Sequence, residues 1–436
     1  MNQRSISMVL TMALDSVDPY RLTNQHILLS NTKVCIGKSE YLGVQNIILI
    51  AMGKASVAMT QAAVSILGEK INRGVCVCKK LPANKTHWEQ IKLVQGSHPI
   101  PDAKSLNAGV QVRDCLQGLT ENDLVLVLIS GGASALVSSP AETIKLDEIK
   151  EVNKLLLHSG ATINEMNAVR KHLEELKGGG LARAAFPAKV HTLILSDVIG
   201  DDISTIASGP TAVDPFTYDD AKLVLKKYGL YEKVSDSIRD RIQMGCSGFV
   251  PETGKPGDSY LENVTNQIIG SNTIALEAAI REAEKLGLKT RIFSNALTGE
   301  ANQAGKLFVE ECQRIAKEVY GPIMVIAGGE TTVTIHGNGK GGRNQELALS
   351  AVKQMANDKK GVLVTLATDG EDGPTDAAGA IVTAETMKRA ESLGLDTDQY
   401  LKNNNAYEFF DRVDGLLKIG PTGTNVNDLT FYFRLE

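Results

Sequence analysis

The sequence predicts an α/β fold with parallel sheets, and three observations support that prediction. Short apolar runs alternate with helical stretches along the 436-residue chain. Several of the apolar runs are continuous rather than alternating, as expected for strands that are buried on both faces of a parallel sheet. The repeated strand–helix order implies right-handed crossovers, with helices on both faces of the sheet.

The apolar runs and the stretches between them define the predicted elements in order. The predicted strands cover residues 46–51, 74–78, 91–94, 123–129, 189–195, 290–293, 322–327 and 361–367. The predicted helices cover residues 55–67, 105–116, 147–158, 163–175, 274–286, 301–319, 345–354 and 384–393. A boundary is expected within residues 244–263, where glycine and proline are frequent and periodicity is weak. We therefore predict two domains, residues 1–250 and 251–436.

Composition restricts the classes of function. The chain is long enough for two domains, and its 43% apolar and 22% charged residues are ordinary for a globular protein. A net charge of −5 gives no electrostatic reason to expect nucleic acid or an anionic membrane as a partner. No apolar run approaches the roughly 20 residues of a membrane span, and the N-terminus lacks a signal-peptide pattern. We expect a soluble, cytoplasmic protein.

The cysteines do not form a disulfide framework, because the six are scattered along the chain. Cys76 and Cys78 lie close together in an apolar run that looks like a strand with both thiols on one face. As half of a metal site they would need a second cluster, which the sequence lacks. We interpret both as structural.

Ligands of such folds bind outside the carboxyl ends of the strands, so the segments that follow the strands are the candidate binding loops. The run 46–51 leads into Gly53 and Lys54 and then into a helix. A P-loop is excluded because position 48 is Ile and because Ala follows the lysine. A lysine beside a helix N-terminus can still hold a phosphate, and a solvated side chain is the alternative.

The run 123–129 ends in Ser130, Gly131, Gly132, Ala133 and Ser134. Backbone N–H groups and a hydroxyl in such a loop can form an anion cradle. The G-x-S-x-G pattern of a serine hydrolase is incomplete here, since its last glycine is missing.

Carboxylates follow two other strands. Asp197, Asp201 and Asp202 come after the run 189–195, and such oxygen ligands suit Mg²⁺. We expect Asp197 to face the site, whereas Asp202 has helix capping as its alternative. Asp369 and Asp372 follow the run 361–367 in the same way.

The segment 328–346 combines glycines, Glu330, Thr331 and Arg343 after a buried strand and before a helix. The guanidinium of Arg343 can grip a carboxylate or phosphate with two hydrogen bonds, and the helix N-terminus favours an anion. A flexible loop with a solvated arginine is the alternative. Together with Lys54 and the carboxylates, this segment points to phosphoryl transfer from a Mg-nucleotide to a small anionic substrate.

The same residues resemble the glycerate 2-kinase family, whose C-terminal half is the MOFRL domain. The matching motifs are AMGKA (51–55), GSHPIPD (96–102), LISGGASAL (128–136), LSDVIGD (195–201), ASGPT (207–211), GGETTV (328–333), GGRNQE (341–346) and TDGEDG (368–373). The resemblance implies ATP-dependent, Mg²⁺-assisted phosphorylation of D-glycerate to 2-phosphoglycerate. It also implies a Rossmann-like three-layer N-terminal domain, a smaller α/β C-terminal domain with a mixed sheet, and an active site in the cleft between them.

The catalytic lysine and arginine of the family fall on Lys54 and Arg343. We expect Arg343 to hold the glycerate carboxylate or the transferring phosphoryl group, and Lys54 to neutralise charge on the γ-phosphoryl group. Asp197 is the candidate general base or Mg²⁺ ligand, with Asp201 as a second ligand. The predicted substrate- and nucleotide-binding residues are Gly53, Ser130, Gly131, Gly132, Ala133, Ser134, Ser208, Gly209, Glu330, Thr331, Gly341, Gly342, Asn344, Asp369 and Asp372.

Two other functions remain as alternatives. A hydroxypyruvate reductase would use NAD(P)H, but no G-x-G-x-x-G follows a strand with an acidic residue about 20 positions further on. A sugar-acid sensor would need a DNA-binding or signalling module, and the sequence contains no helix-turn-helix pattern or basic arm. The assembly is left open, with a homodimer as one alternative.

Overall fold

The computed structural model describes residues 3–82 and 88–435 and contains two compact units. Unit 1 consists of Met1–Asp18, Asp197–Gly200 and Gly270–Glu436. Unit 2 consists of Pro19–Ser196 and Asp201–Ile269. Within the described residues, no helix is both long and apolar enough to cross a membrane.

The strands and helices are numbered in chain order. The strands are β1 (Ile27–Leu29), β2 (Lys33–Ile36), β3 (Ser39–Leu42), β4 (Asn46–Met52), β5 (Ile71–Cys78), β6 (Ile91–Gln95), β7 (Asp123–Ile129), β8 (Lys189–Leu195), β9 (Val264–Gly270), β10 (Lys289–Leu297), β11 (Ile323–Gly329), β12 (Gly361–Ala367), β13 (Gly379–Thr383), β14 (Leu416–Leu417) and β15 (Asp428–Arg434). The helices are α1 (Gln3–Asp15), α2 (Pro19–His26), α3 (Ser56–Leu67), α4 (Ala103–Cys115), α5 (Ala133–Leu136), α6 (Leu146–His158), α7 (Ile163–His172), α8 (Gly180–Ala185), α9 (Tyr218–Lys227), α10 (Asp236–Cys246), α11 (Ser259–Glu262), α12 (Asn272–Lys285), α13 (Ala301–Glu318), α14 (Arg343–Ser350), α15 (Val352–Met355), α16 (Ala384–Ser392), α17 (Thr397–Lys402) and α18 (Ala406–Arg412).

Unit 2 is built on a six-stranded sheet in the order β6-β5-β4-β7-β8-β9. The pairs β6–β5, β5–β4, β4–β7 and β7–β8 are all parallel. All seven residues of β7 are buried, which is why this central strand has a continuous apolar sequence. Helices α6, α7, α9 and α10 bury their apolar faces together in a separate core, and β1–β3 form a small antiparallel sheet.

Unit 1 contains a mixed six-stranded sheet in the order β10-β11-β15-β12-β13-β14. Only β10 and β11 pair in parallel, whereas β15 runs antiparallel to both β11 and β12. Alternate residues of β11, namely Ile323, Val325 and Ala327, face a core shared with α13 and α14. Helix α12 packs on β10 and β11, and α1 packs on α12. The mixed sheet implied by the resemblance is confirmed.

All eight predicted strands are present, and several strands were not predicted. These are β1–β3, β9, β13, β14 and β15. The predicted helix 345–354 is two helices, α14 and α15, because the helical hydrogen bonding is interrupted at Ala351. Cys76 and Cys78 are buried in β5, where burial raises the pKa of both thiols, to about 11 for Cys78.

The contacts within the chain do not divide it at the predicted boundary between residues 250 and 251. The N-terminal segment belongs to unit 1, where Thr424 Oγ1 donates a 2.8 Å hydrogen bond to the carbonyl of Val17. The segment after residue 250 belongs to unit 2, because Gly254 N donates to the Gly178 carbonyl at 2.7 Å and β9 extends the sheet beyond β8.

Candidate functional site

In unit 2, the loops after the neighbouring strands β4 and β7 are bound directly to each other. Ser130 N donates to the Met52 carbonyl at 3.0 Å, and Lys54 N donates to the Gly131 carbonyl at 2.9 Å. Ala55 N donates to the buried Ser130 Oγ at 3.0 Å. The structure therefore brings together the predicted loop of Lys54 and the predicted glycine-rich loop.

Gly53 permits this close approach. Its φ of 129° lies in a region that side chains rarely adopt, and a Cβ at this position would lie 2.2 Å from Ser130 Oγ. The two loops can therefore touch only because residue 53 has no side chain. Lys54, the next residue, is exposed.

The glycine-rich loop leaves backbone donors free. Within residues 3–82 and 88–435, the N–H groups of Gly131 and Gly132 have no hydrogen-bond acceptor. Gly132 has a φ of 82° and precedes the four-residue helix α5, which contains Ala133 and Ser134. These free N–H groups beside an exposed lysine can receive an anion.

His98 is a functional candidate that was not singled out from the sequence. A Cβ on Gly132 would lie 2.9 Å from its Cδ2, so the imidazole packs against the glycine-rich loop. Burial lowers the pKa of His98, and the positive charges of Lys54 and Lys79 lower it further. The His98 imidazole therefore lies within reach of the positive charge of Lys54. His98 belongs to the GSHPIPD motif of the sequence, and the motif by itself does not indicate a role for this side chain.

The three predicted aspartates that follow β8 differ in their structural surroundings. Asp202 accepts hydrogen bonds from Ser204 N at 2.9 Å and from Thr205 Oγ1 at 2.9 Å, so its carboxylate is held by the turn that follows it. Asp201 has a φ of 55°, in the left-handed region. Asp197 belongs to the short stretch that groups with unit 1.

Ser208 and Gly209 form a left-handed turn, with φ values of 62° and 61°. Ser208 is buried, and its Oγ donates to Asn167 Oδ1 on α7 at 3.4 Å. The backbone carbonyls of this turn accept hydrogen bonds from Gly178 N and Gly179 N at 3.0 and 2.7 Å. The turn is thus fixed between α7 and the loop before α8.

In unit 1, Arg343 is bound to two carboxylates of its own chain. Its Nε and Nη2 donate to the two oxygens of Asp428 at 2.6 and 3.1 Å, and its Nη1 donates to Glu330 Oε1 at 2.5 Å. Three of the five N–H groups are therefore used, and two remain for a ligand. The solvated alternative for Arg343 is excluded by this geometry.

The N-terminus of α14 already holds a carboxylate. Asp372 is buried and accepts from Asn344 N at 3.1 Å and from Gln345 N at 2.8 Å. A Cβ on Gly342 would lie 2.3 Å from Asp372 Cγ, so glycine is required for this approach. The helix N-terminus that we expected to favour a substrate anion is thus capped by Asp372 itself.

The cluster of Arg343, Glu330, Asp372 and Asp428 contains more carboxylates than cations. Burial raises the pKa of Asp428 to about 6, against the opposing effect of Arg343, and the charge of Asp372 raises it further. Burial likewise raises the pKa of Asp372. The guanidinium therefore offers oriented donors, while its charge is already balanced locally.

The remaining predicted residues of unit 1 surround this cluster. Thr331, Asn344 and Asp428 line a small pocket at the end of β11. Gly341 lies against Gly373. Asp369 is half-buried after β12, and its Oδ1 accepts from Glu371 N at 3.2 Å. Asp428, a central member of the cluster, is not among the site residues predicted from the sequence.

Across residues 3–82 and 88–435, no group of three or more His, Cys, Asp or Glu side chains is arranged to hold a metal ion. Mg²⁺ usually takes one or two protein carboxylates and completes its shell with water and substrate phosphates. The assignment of Asp197 and Asp201 as metal ligands stays a prediction.

Comparison with known proteins identifies the family. Residues 5–243 match the family described as a domain of unknown function, DUF4147, and residues 323–428 match the MOFRL family. The chain is 43% identical over 421 residues to a glycerate 2-kinase of Pyrococcus horikoshii, covering 96% of this chain and 94% of that protein. It is 41% identical over 391 residues to a D-glycerate 2-kinase of Thermotoga maritima, covering 89% and 90%.

Solved structures agree with this. A crystal structure of a Pyrococcus horikoshii protein matches with a TM-score of 0.87 at 42% identity, covering 100% of this chain and 99% of that one. The crystal structure of the Thermotoga maritima glycerate kinase also gives a TM-score of 0.87, at 37% identity and 99% coverage of both chains. The chain belongs to the glycerate 2-kinase family.

Proposed function

We propose that this protein is a D-glycerate 2-kinase. It transfers the γ-phosphoryl group of ATP to the 2-hydroxyl of D-glycerate and releases ADP and 2-phosphoglycerate. The observation that carries the proposal is the 41% identity, over 89% of this chain, to a protein named D-glycerate 2-kinase. In the reaction the oxygen of the 2-hydroxyl bonds to the γ-phosphorus, the bond from that phosphorus to the β–γ bridging oxygen breaks, and the hydroxyl proton is released.

Lys54 neutralises negative charge on the γ-phosphoryl group in this proposal. Its side chain is exposed at the end of β4, and the free N–H groups of Gly131 and Gly132 lie in the loop bound to its backbone. Phosphoryl transfer needs mainly positioning and charge stabilisation, which a cation and oriented backbone donors supply.

Arg343 has the second cationic role. Asp428 and Glu330 hold its guanidinium from two sides, so its two remaining N–H groups point in fixed directions. Oriented donors that need no rearrangement are effective at a developing phosphoryl charge. We assign these two donors to oxygens of the transferring phosphoryl group, because that is the group on which charge develops in the reaction.

Asp197 has two alternative roles, as general base toward the 2-hydroxyl or as a ligand of Mg²⁺. The carboxylates of Asp197 and Asp201 are of the ligand type that Mg²⁺ prefers, and these two residues would hold it. Bound Mg²⁺ would neutralise phosphate charge. A strong base is not required, because the hydroxyl loses its proton late in a loose phosphoryl transfer.

The decisive test is ADP release from ATP that depends on D-glycerate, followed in a coupled assay, with the phosphorylated carbon identified by phosphorus NMR. We expect 2-phosphoglycerate as the product. Oxidation of NADH by hydroxypyruvate without ATP consumption would replace the kinase by the reductase alternative, which the names of the relatives do not support. Formation of 3-phosphoglycerate would retain the kinase and overturn the assignment of the hydroxyl.

We also propose that the enzyme acts in the cytoplasm. All six cysteines are free thiols, four of them buried, which suits a reducing compartment. Fractionation of the native cells tests this location.

A further inference from the structure

Unit 2 contains a group of charged side chains that the proposed reaction has not yet used. It lies at the C-terminal end of α7 and in the segment that follows, joined by one aspartate from the loop before α9, and we call it the α7 charge cluster. Its members are Arg170, Lys171, Glu174, Lys177 and Asp214. Three of these residues are cations and two are carboxylates, so the cluster carries one positive charge in excess.

Two of the cations are fully paired. Lys171 Nζ lies 3.0 Å from Asp214 Oδ1, and these side chains are 1% and 0% exposed. Lys177 Nζ lies 2.6 Å from Glu174 Oε1, and these side chains are 6% and 2% exposed. Buried ion pairs of this kind are tolerated when additional hydrogen bonds satisfy them.

Glu174 receives such bonds from the segment that follows α5. Ser139 N donates to its Oε2 at 2.7 Å, and Ser138 Oγ donates to the same oxygen at 3.2 Å. With Lys177 on its other oxygen, the carboxylate of Glu174 is satisfied without Arg170. The excess charge of the α7 charge cluster therefore belongs to Arg170.

Glu174 is the carboxylate whose charge acts on Arg170, but its ion pair is with Lys177. Within residues 3–82 and 88–435, the guanidinium of Arg170 has an Nε that makes no hydrogen bond. Its Nε is buried and unsatisfied, as is the Oγ of Ser139. Burial lowers the pKa of Arg170, and the nearby charge of Glu174 opposes that effect. A partly buried cation with an unsatisfied donor is destabilising, so its retention calls for a ligand that accepts a hydrogen bond from it.

Arg170 is connected to the predicted binding loops of the same unit. It lies three residues after Asn167 on α7, a spacing that places two side chains on the same face of a helix. Asn167 accepts the hydrogen bond from Ser208, and the turn Ile206–Ser208 packs against α5, which directly follows the glycine-rich loop. Arg170 is thus linked to the glycine-rich loop of unit 2 through Asn167, Ser208 and the turn Ile206–Ser208.

We propose that Arg170 binds the carboxylate of D-glycerate. A guanidinium matches the two oxygens of a carboxylate with paired hydrogen bonds, which would satisfy the buried Nε and neutralise the α7 charge cluster. The inference deepens the proposed function and rests on it for the identity of the substrate. It separates two tasks: Lys54 and Arg343 act on the phosphoryl group, whereas Arg170 recognises the acid.

The test compares the Arg170→Gln enzyme with wild type in steady-state kinetics and in thermal unfolding. We expect the KM for D-glycerate to rise by about 30-fold or more, because a charge-assisted bidentate contact is lost. The KM for ATP should stay within twofold. Wild type should prefer D-glycerate to D-glyceramide strongly, and the variant should lose that preference.

Thermal unfolding distinguishes this role from a structural one. D-Glycerate without nucleotide should raise the Tm of wild type and not that of Arg170→Gln. The free variant should unfold at a Tm equal to or above that of wild type, since an uncompensated charge has been removed. Arg113→Gln, at an exposed position on α4, is the matched control and should behave as wild type in every measurement.

Each of the other outcomes overturns one part of the proposal. An unchanged KM for D-glycerate removes Arg170 from substrate binding, and a rise confined to the KM for ATP assigns it to the nucleotide instead. A lower Tm of the free variant with unchanged glycerate binding indicates a structural role; should Arg170→Gln not fold, Arg170→Lys is measured in the same way. If wild type releases no ADP with D-glycerate, the proposed function fails, and the Tm shift by D-glycerate alone still decides whether Arg170 binds the acid.

Discussion

Arg343 illustrates at the scale of one residue how a cation is fixed before a substrate arrives. Its guanidinium makes three hydrogen bonds to Asp428 and Glu330 and is 32% exposed. Burial lowers the pKa of Arg343, but the two carboxylates outweigh burial and raise it above its ordinary value. The guanidinium therefore stays protonated, as arginine does in proteins generally.

Replacement of Arg343 by alanine should reduce kcat by about 10³-fold or more, the scale found for arginines at a transferring phosphoryl group. The reason is the loss of two oriented donors, so Arg343→Lys should recover only a small part of the rate. The measurement is D-glycerate-dependent ADP release, with circular dichroism to verify folding. A turnover close to that of wild type would remove Arg343 from the site.

The raised pKa of Asp428 predicts that the stability of the protein depends on pH. Its pKa is raised from 3.8 to about 6 in the folded protein, so between these values the folded state binds a proton that the unfolded state releases. This group's contribution to the free energy of unfolding is therefore fully present below pH 3.8 and is lost as pH rises through 6. The loss amounts to about 3 kcal/mol at most, from roughly 1.4 kcal/mol per pKa unit.

Urea unfolding of wild type and Asp428→Asn between pH 4 and pH 7.5 measures this contribution. The wild-type free energy of unfolding should fall relative to that of the variant as pH rises, and the difference should level off above pH 7. Parallel curves for the two proteins would show that Asp428 keeps an ordinary pKa.

At the scale of elements, the turn after β4 depends on one glycine. Gly53→Ala would bring a Cβ within 2.2 Å of Ser130 Oγ and 2.4 Å of the Ser130 carbonyl oxygen. We expect a loss of about 2 kcal/mol or more in the free energy of unfolding. Turnover should fall at least tenfold, because Lys54 moves with the turn.

Gly118→Ala is the control for this change. Gly118 also has a positive φ, 69°, but a Cβ there meets nothing within 4 Å. It should cost about 1 kcal/mol in backbone strain and leave turnover unchanged. Equal effects of the two substitutions would mean that strain alone, and not the contact with Ser130, accounts for the result at Gly53.

The elements also differ in how well their sequences predict them. Strand β7 was found with its exact bounds Asp123–Ile129, because burial on both faces demands an unbroken apolar run. Strand β15 was missed although it lies in the middle of its sheet. Its sequence mixes threonine, aspartate and aromatic residues, and its strand neighbours β11 and β12 are distant in sequence. Helix α9 was missed too, although the capping box of Thr217 and Asp220 is a local signal for it.

On the scale of the whole molecule, the two ends of the chain belong to the same unit. Helix α1 packs against α12, and Val9 and Ala13 of α1 are completely buried. Unit 1 therefore depends on residues that are synthesised before all of unit 2. A domain boundary that is predicted from turn-forming residues alone cannot show that α1 packs with elements far along the chain.

Val9→Asp should destabilise unit 1 selectively, since it places a charge at a fully buried position. We expect a loss of about 3 kcal/mol and faster amide hydrogen exchange in α12, while the amides of β4, β7 and β8 keep their protection. Met8→Asp, at a position that is 40% exposed, should leave exchange unchanged. Loss of protection in β4 and β7 together with α12 would indicate that the two units unfold as one.

The sequence by itself determined the α/β class, the strands whose burial requires a continuous apolar run, the loops that follow them, and the family. These features are encoded locally, in periodicity and in short motifs. The tertiary structure decided which charges are already paired. Only packing between distant segments shows that Asp372 caps α14, that Asp428 holds Arg343, and that the buried Nε of Arg170 has no hydrogen-bond partner among the described residues. Charge balance depends on distances in space, and residue type and spacing along the chain do not specify those distances.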